Sequence, residues 1–339
     1  MKREREIVDI YTRIHTHTYI MCDERKNRIL EIVIDLLSEH MSDVKEIGLL
    51  LGDAKVSPDY VLEDGNLGLP LWWGTSVIRS VQMELRDHKH TTTSRRKMEL
   101  TRAAVIFAPD NYVFWNIRRK ELLKKNSKLR EEEMRFLDTL SILHPKKEGV
   151  WIQRYWVLHL QLQPCDDDDD DLLEPIIRRE MNLCTRAATL YRRNYYAWTH
   201  RLRVTKIANS RLSLMKIQEF VKDELKSLTA FVKRHISDYS AWNHRLQVLT
   251  LTPTQSLILL ERDLLDVLMK EYPTHESMWY HRRNIFHLYK TSASTTQELL
   301  KHYHTNEIKF CATIKNLITL TYHHEREDYL LFLKGTLST

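Results

Sequence analysis

The sequence predicts an all-α fold, a right-handed α-α superhelix built as a solenoid of helical hairpins. Three observations predict it. Trp-x-x-Arg occurs five times, at Trp115/Arg118, Trp151/Arg154, Trp198/Arg201, Trp242/Arg245 and Trp279/Arg282. Successive tryptophans of this set lie 36, 47, 44 and 37 residues apart. That is the period of helical-repeat arrays, whose hairpins must stack because none can bury its own apolar face. With 29 arginines among 339 residues, chance would supply roughly 0.7 such pairs for eight tryptophans. Glycine is the third observation. Seven occur, and only Gly149 falls between residues 75 and 334, whereas sheets need glycine-rich turns.

Residues 1–40 read as helical, with Leu30, Ile34 and Leu37 spaced four and three apart. Five of the seven glycines, with Pro58 and Pro70, fall in 48–74. This stretch is expected to be an irregular strap over the first repeat, with a short extended run at Tyr60–Leu62. The expected division is therefore 1–74 and 75–339, with the repeats over about 95–290 and a helical cap after them.

Each repeat has a leading helix with an apolar stripe: Ile177, Met181, Cys184, Ala188 and Tyr191 in one, Ile217, Val221, Leu225, Leu228 and Val232 in the next. In the last, the stripe is expected at Leu257, Leu260, Leu264 and Leu268. A stop-and-start signal follows. Pro109, Pro145 and Pro273 sit six before their tryptophans and end the leading helix. Asn111, Asn194 and Asp238 sit four before, where a short polar side chain caps the second helix. Leu122, Leu158, Thr205, Leu249 and Phe286, seven after each tryptophan, share its face. The arginine is expected to lie over the indole and reach a carboxylate or a helix-terminal carbonyl next door. In the widest gap, Asp166–Asp171 stand between Pro164 and Pro175; six adjacent acids repel, so 164–175 reads as an inserted loop.

Composition narrows the function. A net charge of +6 permits a polyanionic partner, but the basic residues are scattered among acids, which disfavours nucleic acid. Cys22, Cys165, Cys184 and Cys311 are far apart and read as reduced thiols of a cytoplasmic protein. The N-terminus is too charged for a signal peptide, no apolar run reaches membrane-span length, and Lys334–Thr339 carries no prenylation box. His200, His244 and His281, two after their tryptophans, lie on separate repeats. They read as interhelical hydrogen-bond partners. The His-x-His pairs 15/17, 88/90 and 302/304 diverge if helical, so no metal site is expected. No nucleophile elbow, phosphate-binding glycine loop or paired carboxylates appear. The physics of the residues reaches an α-solenoid that binds something.

The recurring (Pro)-x-(Asn/Asp)-Tyr-x-x-Trp-x-(His)-Arg resembles the repeat of protein prenyltransferase α subunits. The likeness covers 109 to about 290, and Glu46–Leu50 with His275–Phe286 narrows it to one branch. The resemblance implies an all-α crescent around a separate β subunit, an α/α barrel. That partner would supply zinc and hold geranylgeranyl diphosphate; no cofactor is expected in this chain. For this branch the implied β subunit is the one used by Rab geranylgeranyltransferase. The implied reaction transfers geranylgeranyl to a C-terminal cysteine of SNARE-type or F-box-type proteins. In the family's second repeat, a lysine five before the tryptophan and a tyrosine three before it reach the diphosphate. The positions here are Lys146 and Glu148, so the cation is kept, with Lys147 beside it, and the tyrosine is not. The competing expectation is a helical scaffold that gathers partners without any transfer.

Overall fold

The computed structural model describes residues 28–41, 43–52, 60–87, 91–124, 127–162, 170–292, 296–315 and 324–337. Fourteen helices and three short strands occupy them. The chain divides into units 1–165 and 166–339, each with its own apolar core.

In the first unit, α1 (Ile29–His40) buries Leu30, Ile34 and Leu37, as their spacing requires. The expected strap is a small sheet. Strands β1 (Glu46–Leu50), β2 (Val61–Glu63) and β3 (Asn66–Pro70) run in the order β1-β3-β2, with β1 parallel and β2 antiparallel to β3. Asp64 and Gly65 join β2 to β3 with φ of 51° and 81°. Positive φ at both central residues is what a two-residue hairpin turn demands, and Asp-Gly supplies it. Ile47, Leu67 and Leu69 point inward and pack in one core with α1 and with Val77 and Val81 of α2 (Trp73–Asp87). The described residues between 28 and 74 thus share their core with α2, within a compact unit that runs to 165. Two helical hairpins complete it, α3 (Ser94–Phe107) with α4 (Tyr112–Leu122) and α5 (Ser127–Leu143) with α6 (Glu148–Gln161).

The second unit holds three hairpins: α7 (Asp170–Leu190) with α8 (Tyr195–Arg211), α9 (Leu214–Arg234) with α10 (Tyr239–Leu249), and α11 (Gln255–Glu271) with α12 (Glu276–Thr291). The helices α13 (Gln297–Lys315) and α14 (His324–Leu337) close it. Residues 164–169 of the expected loop 164–175 lie outside the described residues, but α7 begins at Asp170 and continues through Pro175. The backbone of 170–175 is thus helical where a loop is expected.

The hairpin signals act as expected. Asn111 accepts from the Val113 amide, Asn194 from Ala197, and Asp238 from Ser240 and Ala241. The stripe of α9 is wholly buried, and that of α7 is buried through Ala188, with Tyr191 beyond the helix end and partly exposed. Of the stripe expected on α11, Leu268 is buried and Leu257 and Leu264 are half-buried against the core, but Leu260 is not on the inner face. Leu260 is 65% exposed, while Ile258, Glu261, Leu265, Leu268 and Met269 face inward. That helix is apolar on nearly every side, so periodicity alone fixes its inner face poorly.

Candidate functional site

All five signature tryptophans and all five arginines are buried. Four indole N–H groups donate to the carbonyl six residues earlier: Trp115 to Pro109 at 2.8 Å, Trp151 to Pro145 at 2.9 Å, Trp242 to Ile236 at 2.8 Å and Trp279 to Pro273 at 2.8 Å. The ring therefore locks the turn that starts its own helix. The arginine then ties two hairpins together. Arg201 forks onto Glu224 of the next hairpin at 2.6 and 2.7 Å, and Arg245 onto Glu261 at 2.6 Å twice. Arg118 pairs with Glu133 likewise. The other guanidinium nitrogen of each reaches back 20 residues to a leading-helix carbonyl: Met98 for Arg118, Met181 for Arg201, Leu225 for Arg245. These carbonyls are inside helices, not at their ends as expected, so the arginine takes the second lone pair of an oxygen already in the ladder.

Each of these carboxylates also receives a donor from its own hairpin. His244 Nε2 lies 2.9 Å from Glu224, His281 Nε2 2.8 Å from Glu261, and His200 Nε2 2.7 Å from Glu180; Gln153 fills the same place on Glu133 at 3.1 Å. The histidines are thus the interhelical partners expected of them. Burial alone would raise the Glu224 and Glu261 carboxyls, but Arg201 and Arg245, aided by the histidines, outweigh it and hold both at about 2. Burial lowers His244 and outweighs its carboxylate partner, so it stays neutral. Bidentate geometry, with a further donor on the carboxylate, is what lets such charges persist away from water. The other two arginines add aspartate partners. Arg154 pairs with Asp138 at 2.8 Å. Arg282 pairs with Asp266 at 2.6 Å and with Glu307 at 2.6 and 2.9 Å, and lies 3.6 Å over Phe310. The expected stacking on its own indole occurs at Arg201, 5.8 Å over Trp198; Arg118 and Arg282 cover a phenylalanine of the following helix instead.

The glutamates were the missed half of this arrangement. Glu133, Glu180, Glu224 and Glu261 each stand 18 residues before the tryptophan of their own repeat. That constant offset is visible in the sequence once it is sought.

A groove of about 680 Å³ opens in the second unit, along the starts of α8, α10 and α12. Arg193, Tyr195, Trp198, Tyr239, Trp242 and Tyr280 are among its walls. Its three tyrosines are all more than half exposed, so the groove offers aromatic faces and hydroxyls beside one guanidinium. Lys146 stands in the first unit, exposed in the turn before α6, while Lys147 pairs with Asp110 at 2.6 Å. The repeat that carries both a cation five before the tryptophan and a tyrosine three before it is the third, at Arg193 and Tyr195.

The remaining candidates do not form a site. His302 meets Asn306 and His304 meets the Leu333 carbonyl, on different sides of α13. The pairs 15/17 and 88/90, with Cys22 and Cys165, lie outside the described residues; Cys184 and Cys311 are buried and in no disulfide. Among the described residues no cluster could hold a metal ion, and no helix is long and apolar enough to cross a membrane.

This chain is similar to known proteins. The family model described as Protein prenyltransferase alpha subunit repeat matches residues 177–206, 221–252 and 259–289, the three hairpins of the second unit. Protein prenyltransferase alpha subunit repeat-containing protein 1 of Danio rerio is 27% identical over 299 residues, covering 73% of this chain and 68% of that protein. Geranylgeranyl transferase type-2 subunit alpha of Dictyostelium discoideum is 30% identical over 137 residues, 38% of this chain and 40% of that one. A solved chain of Candida albicans protein geranylgeranyltransferase-I complexed with GGPP has the same fold. It matches with a TM-score of 0.52 at 14% identity, over 88% of this chain and 97% of its own.

Proposed function

From a chain built of prenyltransferase α-subunit repeats, we propose the α subunit of a heterodimeric protein geranylgeranyltransferase. It works in the cytoplasm, paired with a β subunit of the Rab-geranylgeranyltransferase type. The substrate is a protein with a C-terminal cysteine, of the SNARE or F-box kind. The observation that carries this reading is the five-fold tryptophan–arginine framework with a cation-bearing groove along its Trp helices. A buried ladder of this kind makes a rigid wall, and a rigid wall with exposed aromatics suits a large partner surface.

The β subunit would supply the zinc and the isoprenoid cavity. This chain's own contribution to the reaction is a cation near the leaving diphosphate, where developing negative charge is stabilised by a pre-placed donor. Lys146 is one candidate. Arg193, with Tyr195 beside it and a wider fork of donors, is the other.

Co-expression with such a β subunit tests the reading. A stable heterodimer that transfers geranylgeranyl to a cysteine-terminated protein is the expected result. Arg193→Ala and Lys146→Ala, made separately, should identify the cation by a drop in kcat of about 100-fold with the heterodimer intact. Turnover unchanged in both would remove the diphosphate role. Failure to pair with any barrel subunit would instead favour a scaffold.

A further inference from the structure

The entry turns of the five Trp helices are not equivalent. In the first, second and fourth, the amides of Asn111, Lys147 and Asp238 donate to the carbonyl three residues back, at 3.1, 3.1 and 2.9 Å. The third turn is built differently. Arg193 has a φ of 55°, one of only two described non-glycine residues in the left-handed region. The Tyr195 amide donates to the Arg193 carbonyl at 3.0 Å. Trp198 Nε1 and Asn194 Nδ2 are buried without an acceptor, although the equivalent indoles of the other four repeats all have one.

The difference lies at the start of the turn. Three of the other repeats carry proline six before the tryptophan and the fourth carries Ile236, whose carbonyl also accepts from its indole; only in the third, with Arg192 there, does the next residue adopt a positive φ. A side chain with a β-carbon is disfavoured in the left-handed region. A buried donor left unpaired adds a second penalty. Strain of this kind collects at switch and ligand-contact segments, and here it falls on a residue lining the groove.

We infer that the Arg192–Arg193 peptide is a two-position switch that controls presentation of the Arg193 guanidinium. In the position seen, Arg193 lines the groove and Trp198 lacks its acceptor. In the other, the peptide plane turns over, the Arg192 carbonyl accepts from Trp198 Nε1 as in the sibling repeats, and Arg193 leaves the left-handed region. The Tyr195-to-Arg193 bond and the edge-to-face pair of Tyr195 with Tyr196, 5.6 Å between centroids, hold the first position. The indole bond and relief of φ favour the second. Only the use made of Arg193 rests on the proposed function; the turn itself rests on geometry.

The test is hydrogen exchange and chemical shift of the indole N–H groups in the full chain, with Trp198→Phe assigning the resonance. In the wild type, the Trp198 proton should exchange faster than those of Trp115 and Trp242 by about fivefold or more, the factor of one net hydrogen bond. Arg192→Pro, which installs the sibling residue, should move that resonance downfield among the bonded indoles and slow its exchange. Arg193→Gly, which tolerates positive φ, should leave it upfield and keep or raise Tm. A wild-type Trp198 proton as protected as its siblings and unmoved by either substitution would overturn the switch, as would a lower Tm in Arg193→Gly. If Arg192→Pro does not fold, the wild-type rates and Arg193→Gly decide the matter. None of these readouts involves turnover, so they stand or fall apart from the Arg193→Ala kinetics that judge the transferase reading.

Discussion

At Glu224 one carboxylate serves two repeats, taking the Arg201 fork from the preceding hairpin and His244 from its own. Glu224→Gln leaves a buried guanidinium without its counter-charge, and urea unfolding at pH 7 should show a loss of about 3–5 kcal/mol. The double replacement Arg201→Met with Glu224→Leu should lose much less, because no charge is stranded. Gly149 is a second such position. A β-carbon there would lie 2.6 Å from the Pro109 oxygen and 2.9 Å from Trp115 Nε1, against the bond that locks the first turn. Gly149→Ala should therefore destabilise by about 1–3 kcal/mol in denaturant melts, despite gaining about 1 kcal/mol of helix propensity. The tryptophans and arginines were legible because they are uncommon and recur at a fixed spacing. The glutamates recur as regularly, but glutamate is abundant and usually solvated, so a buried ladder of them does not stand out. The role of Gly149 depends on a backbone atom 40 residues away and had no local signature.

Among elements, caps and stripes transfer from sequence to structure when their signal has one meaning. Asp238 takes two amide donors at the start of α10, and Asp238→Ala should cost about 1–2 kcal/mol in thermal or urea unfolding. The stripe of α9 was read correctly because polar residues flank it. The stripe expected on α11 holds at Leu268 and fails at Leu260, because Leu257, Leu259, Leu260 and Leu264 offer apolar side chains on competing faces. Leu260→Lys should accordingly change stability by less than about 0.5 kcal/mol, whereas Leu265→Ala should cost about 2–5 kcal/mol. Comparable losses at the two leucines would mean that α11 is rotated from the position described. The small sheet was half legible: Tyr60–Leu62 was expected to be extended, and Asp64-Gly65 is a hairpin signal. The pairing of β1 with β3 joins segments whose connection offers no periodic cue, so parallel strands 20 residues apart were read as a strap.

Across the second unit the ladder passes from hairpin to hairpin, Arg201 to Glu224 and Arg245 to Glu261, with a histidine on each carboxylate. Protons therefore act on the unit through several coupled points. His244 is held below its ordinary value of 6.5, so in the folded protein it remains neutral while the unfolded chain takes up a proton. The stability this gives is complete above about pH 6.5 and declines as pH falls below it. Glu224 and Glu261 are depressed from 4.5 to about 2. Their contribution is complete above pH 4.5 and is lost as pH falls towards 2. Both effects have the same sign, so unfolding free energy should drop in two stages on acidification. His244→Gln separates them. Gln153 already fills this place on Glu133 without titrating, so the substitution keeps a donor on Glu224 and removes the proton uptake. Urea titrations from pH 7.5 to about 3 should give a flatter curve for His244→Gln than for wild type between pH 7.5 and 5, with the steeper loss below pH 4.5 retained in both. An unchanged slope between pH 7.5 and 5 would mean that His244 takes up its proton equally in the folded and unfolded chains, and a steeper curve for His244→Gln would mean that its imidazolium is paired to Glu224 in the fold.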